Sequence, residues 1–151
     1  MNGIVLGHSP WIPEGSYTVA YTHYETTKSW NGCKLMAYFS VMDGEYAGTP
    51  LTRYYNVDAL LSPPGRDGGF QVSDRRLLVR EYRVLLPDMA SQSTVDMATL
   101  KGKRIRADVV TVDRDGLKRE LSQVSRYSKI KRLIEIILDD DGELLADPKL
   151  G

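Results

Sequence analysis

Few side chains in this chain of 151 residues could do covalent chemistry: two histidines, His8 and His23, and one cysteine, Cys33. Hydrolysis or group transfer needs a nucleophile with a base in hydrogen-bond reach, or a metal. His8 falls in an N-terminal arm, His23 falls on the apolar side of a predicted strand, and neither has a partner close by in sequence. Cys33 follows a turn without a Cys-His signature. Asp139-Asp140-Asp141 are consecutive carboxylates beside Gly142, and such a run does not converge on one Mg²⁺ as a nuclease site requires. Glycine-rich phosphate loops and zinc-protease motifs do not occur. The expectation is a protein that is not an enzyme and has no metal or cofactor.

Non-covalent recognition is better supplied. Nine tyrosines and two tryptophans stand against two phenylalanines, and tyrosine and tryptophan keep a polar edge in water where phenylalanine prefers full burial. At polar or turn positions stand Trp30, Tyr38, Tyr54 and Tyr127, interleaved with Lys34, Arg53, Arg104, Arg106, Lys118 and Arg126. Rings that stack under bases and cations that follow phosphates are what an unpaired nucleic-acid strand needs. A strand tyrosine serves more often in cross-strand packing, and a basic run is often a solvated face, so the set carries weight only together.

The formal net charge is 0, from 20 basic and 20 acidic residues, which excludes uniformly basic nucleic-acid condensers and highly charged disordered chains. The total hides a strong asymmetry. Residues 1–99 hold 8 basic against 10 acidic side chains, 100–132 hold 11 against 4, and 133–151 hold 1 against 6. The basic block runs along a predicted hairpin and its exit. The acidic block ends in a predicted flexible tail, 139–151, that could occupy the basic groove in the absence of nucleic acid or engage replication and recombination proteins.

Elements must hold these side chains in place. Ser16 to Thr27, rich in aromatic and β-branched residues, reads as a strand. Lys28 to Gly32 reads as a hairpin turn, its Asn-Gly pair accepting positive φ. Cys33 to Met42 alternates Leu35, Ala37, Phe39 and Val41 against Lys34, Met36, Tyr38 and Ser40, and Leu51 to Val57 makes a third strand. Apolar spacing from Leu77 to Leu86 predicts a helix capped by Ser73 or Asp74 and stopped by Pro87, with a short helical turn near Val95 to Leu100. Ile105 to Thr111 alternates again, and Asp113 to Gly116 turns into a strand over Leu117 to Ser128. Lys129 to Leu138 fits both periods; Ile130, Leu133, Ile134 and Ile137 lean it to helix.

The layout of three strands, a helical insertion over about 59–99 and two strands is that of the OB-fold, a five-stranded Greek-key barrel. The expected architecture is a mainly β single domain, 1–138, with the acidic tail behind it. One cysteine argues for a reducing compartment, and no apolar run approaches the roughly 18 to 20 residues of a membrane span. Cytoplasmic location and no membrane partner follow as expectations.

Pro13-Glu14-Gly15-Ser16-Tyr17, then Lys28-Ser29-Trp30-Asn31-Gly32 before Leu35, then Phe39 to Gly48 and Leu51 to Val57, and finally Leu100-Lys101-Gly102-Lys103 leading into Ile105, resemble small single-stranded-DNA-binding proteins of bacteriophages and mobile elements. The likeness covers roughly residues 12–132. It implies an OB-fold protein that coats single-stranded DNA without reading sequence, in replication or recombination inside the host cytoplasm, with RNA as a compatible ligand and self-association open. The insertion is longer than that pattern, and the tail ends Asp147-Pro148-Lys149-Leu150-Gly151 without a terminal phenylalanine. The competing reading is a protein-interaction module that uses the insertion and the tail.

Overall fold

The computed structural model describes residues 10–89, 94–113 and 126–138. Its elements are β1 (Gly15–Ser29), β2 (Gly32–Val41), β3 (Pro50–Val57), β4 (Ala59–Leu60), β5 (Phe70–Gln71), α1 (Leu77–Leu85), β6 (Arg104–Val112) and β7 (Tyr127–Leu138), with 3₁₀ turns at Pro87–Met89 and Met97–Leu100. Five strands form one antiparallel sheet in the order β3-β2-β1-β6-β7, and β4 and β5 form a separate two-stranded ribbon.

Alternation builds the sheet. Leu35, Ala37, Phe39 and Val41 of β2, Leu51, Tyr55 and Val57 of β3, and Ile105, Ala107 and Val109 of β6 all turn inward and are buried. Each large apolar side chain so buried contributes about 1.5–3 kcal/mol relative to exposure. The helix α1 lays Leu78 and Leu85 on this core, and its Val79 and Tyr82 are buried beside it. It starts at Leu77 behind Arg76, with no side-chain cap, so the expected Ser73 or Asp74 cap is not formed. Ser73 N–H instead donates to Asp58 Oδ2 at 2.5 Å. From the N-terminal side, Ile12 seals the core against β7, its N–H donating to Ser128 Oγ at 2.8 Å.

Two departures from simple pairing decide which way side chains face. In β1 the register against β2 slips between Tyr21 and His23, so Thr22 is an extra residue. That bulge exchanges the faces of everything after it. His23, expected on the apolar side, points outward, and Tyr24 and Thr26 turn toward the core side.

In β7 the register against β6 slips three times, and Lys131, Ile134 and Ile137 are passed over. The buried residues there are Ile130, Leu133 and Ile136. A bulge at every third residue stretches the strand's period of two to three, which explains the helix-like spacing. Residues 129–138, read as leaning to helix, are therefore strand, and repeated bulges coil that strand strongly. Of the strand expected over Leu117 to Ser128, all but the last residues lie outside the described ones, as does the tail 139–151.

The sheet is open. Its edges β3 and β7 share no ladder, yet they lie side by side, and α1 bridges them through one carboxylate. Glu81 accepts from Arg53 Nε at 3.2 Å, from Tyr55 OH at 2.7 Å and from the Leu133 N–H at 3.1 Å, and forms a buried ion pair with the Arg53 guanidinium.

Candidate nucleic-acid interface

The outer face of β1, β2 and β3 carries a grid of partly exposed side chains set by register. Thr27, Lys34 and Asn56 form one row, Glu25, Met36 and Tyr54 the next, and His23, Tyr38 and Thr52 the third. The loop before β5 extends the middle row. Arg66 bridges antiparallel to Glu25, and directly opposed residues share a face. The loop is pinned there by Thr26 N–H to Gly65 O at 2.9 Å and Tyr24 OH to Gly68 O at 2.9 Å.

At the end of the grid the chain turns through Trp30 and Asn31, since Ser29 pairs with Gly32. Gly32, at φ 118, supplies the left-handed geometry, and Asn31 does not. Trp30 is 94% exposed, so its indole is essentially unburied by the described residues.

Within the grid the polar groups are tied together. Tyr38 OH donates to Glu25 Oε1 at 3.2 Å, and the Tyr38 ring lies 4.7 Å from His23, tilted by 31°. His23 Nδ1 is 3.1 Å from Thr22 Oγ1, which also donates to Tyr38 O at 3.0 Å. Thr22, the bulge residue, thereby holds the ring pair it created. Burial first, and the Glu25 charge second, push the Tyr38 hydroxyl up to about 12, so it stays a donor at neutral pH. Burial, with Tyr127 nearby, also raises Tyr54. Lys34 Nζ donates to Asn56 Oδ1 at 2.9 Å, a neutral partner, and has no ion pair among the described residues.

The residues expected to bind divide clearly. Lys34, Tyr38 and Tyr54 come together on the grid beside Trp30. Arg104 and Arg106 sit on the same face one strand further, opposite Ala20 and Thr18 of β1. Arg104 is exposed with no ion pair among the described residues, whereas Arg106 is paired with Glu135. Tyr127 opens β7 opposite Val112, and Arg126 immediately precedes it. Lys118 lies outside the described residues.

Arg53 leaves the set of phosphate contacts. It is only 8% exposed, points inward, and its guanidinium lies 4.3 Å over the Tyr55 ring. Burial works against its charge, but the hydrogen bonds it donates to Glu81, with the Tyr55 and Glu81 charges, outweigh this and hold it above the usual arginine value. The alternation of Leu51, Arg53, Tyr55 and Val57 was the available sign of this placement.

Sequence reasoning passed over Glu25, Met36, Asn56 and Arg66, and also Trp11, which is 56% exposed with its indole N–H on Thr111 Oγ1 at 3.2 Å. Strand parity was the available signal for Met36 and Asn56. Nothing in the sequence announced the bridge that brings Arg66 beside Glu25.

Among the described residues no three His, Cys, Asp or Glu side chains cluster as metal ligands, and no helix is long and apolar enough to cross a membrane. No family model, curated relative or solved structure matches the chain.

Proposed function

We propose that the chain is a non-catalytic binder of single-stranded nucleic acid, DNA foremost, serving replication or recombination of a phage or mobile element. Its sheet is then a partly open OB-type barrel. Two features support that fold reading: the strand order β3-β2-β1-β6-β7, with neighbouring edges, and α1 between β3 and β6. OB-folds bind oligonucleotides on the face of their second and third strands and on the loop joining the first two. The grid occupies that face, and Trp30 that loop.

One observation carries the proposal: an indole 94% exposed at the end of a row-ordered face bearing Lys34, Met36, Tyr38 and Tyr54. Leaving so large an apolar ring in water is unfavourable unless a ligand covers it. Bases stack on Trp30, Tyr54 and the His23–Tyr38 pair, and Lys34, Arg66 and Arg104 meet phosphates. Oligonucleotide titration followed by tryptophan fluorescence tests this, with quenching by single strands and little response to duplex as the expected result.

A second reading draws on a different feature. A cleft of about 730 Å³ lies between β5 and α1, lined by Tyr24, Phe70, Val72, Val79 and Tyr82, with Leu61 68% exposed at its edge. That cleft suits a protein partner, and binding of proteins but not of oligonucleotides would favour it.

A further inference from the structure

A carboxylate in the middle of a face meant for a polyanion needs a reason. Glu25 sits in the central row between Arg66 and Met36, one row from the His23–Tyr38 pair. Its Oε1 accepts from Tyr38 OH at 3.2 Å, and Oε2 is 3.9 Å from His23 Nε2, beyond hydrogen-bond reach. The side chain is 39% exposed. Oε2 is therefore a charged acceptor with no hydrogen bond among the described residues, beside a stacking pair, and Lys34, one row away opposite Thr27, supplies positive charge on the same face.

Resting on the single-strand reading, we propose that Glu25 gives the face a base preference. Oε2 accepts a hydrogen bond from the exocyclic amino group of a base stacked on Tyr38 or Tyr54, so cytosine is favoured over thymine. The two pyrimidines stack with the same ring size but oppose each other at this edge. Cytosine presents an N4 amino donor, thymine the O4 acceptor, and a carboxylate pairs with the first and repels the second.

The test compares fluorescein-labelled oligo(dC) and oligo(dT), each about 16 nucleotides long, binding to the whole chain at one salt concentration and neutral pH. The expected preference for oligo(dC) is roughly fivefold to tenfold, the net scale of one hydrogen bond at a partly exposed site. Glu25→Gln keeps an acceptor for Tyr38 but adds a donor and removes the charge. It should bring the two affinities within about twofold and raise affinity for oligo(dT). Equal binding of both oligonucleotides by the wild type, or a preference that survives in E25Q, overturns the proposal and leaves single-strand binding standing. Binding of neither at low salt overturns both. An unchanged melting temperature for E25Q certifies the comparison, and Glu25→Ala, which also removes the acceptor, should likewise abolish the preference.

Discussion

The Glu81 carboxylate on α1 accepts the backbone N–H of Leu133 on β7 at 3.1 Å, and its remaining partners, Arg53 and Tyr55, both belong to β3. One side chain thus spans the seam where the open sheet's edges meet. Two buried charges are costly to desolvate, and they are tolerated here because each has several hydrogen bonds. Glu81 accepts from the guanidinium, a phenol and an amide, and Arg53 also donates to Tyr54 O at 2.9 Å.

The first prediction follows from that seam. Glu81→Ala strands the Arg53 charge, Tyr55 OH and the Leu133 N–H, and should cost about 3–5 kcal/mol in urea unfolding. Replacing Arg53 and Glu81 together by leucine should cost markedly less, because no charge is left unpaired. A double mutant as unstable as E81A would contradict this account of the seam.

For β7 the three bulges predict an alternation that a helix would not give. Leu133→Ala should destabilise by about 2–5 kcal/mol, the cost of a core truncation. Ile134→Ala, at a passed-over residue only partly buried, should cost about 1 kcal/mol. Equal losses would mean that both side chains share the core.

Asp58 gives a pH dependence. Hydrogen bonds from Arg76, foremost, and from Ser73 hold its carboxyl below the usual aspartate range. A folded value below the unfolded one means stability that is present above the unfolded pKa and lost as pH falls through the folded one. The stability gap between wild type and Asp58→Asn should therefore be open at neutral pH and narrow as pH falls below the ordinary aspartate range. A gap that persists in acid would show that the charge is not its source.

Trp30→Ala should leave stability within about 0.5 kcal/mol of wild type, because the ring is almost fully exposed. It should weaken single-strand binding by about 1–3 kcal/mol on every base sequence alike. Loss of folding would instead make the indole structural.

How far the sequence could be read depended on whether one residue step kept its parity. In β2 the alternation from Lys34 to Val41 is unbroken, and Lys34, Tyr38 and the buried Leu35, Ala37 and Phe39 lie where period two puts them. In β1 the pattern is right up to Tyr21, and then one extra residue, Thr22, sends His23 outward. No residue type marks a bulge of that kind. In β7 the extra residues recur so regularly that the strand takes on the spacing of a helix. Arg53 shows a different limit. Its charge suggested exposure, while its parity with Leu51 and Tyr55 indicated burial, and the deciding partner, Glu81, lies on another element. Trp30 was legible because a two-residue turn has nowhere to hide an indole. Arg66 was not, because it reaches the face through a loop.

The most direct test of single-strand binding is the salt dependence of affinity for a fluorescent single-stranded oligonucleotide, in competition with duplex of equal length. The account predicts log affinity falling linearly with log salt, by about 0.7 per phosphate neutralised, and a slope shallower by about 1.4 in the Lys34→Ala, Arg104→Ala double mutant. Affinity indifferent to salt, or duplex competing as well as the single strand, would contradict it.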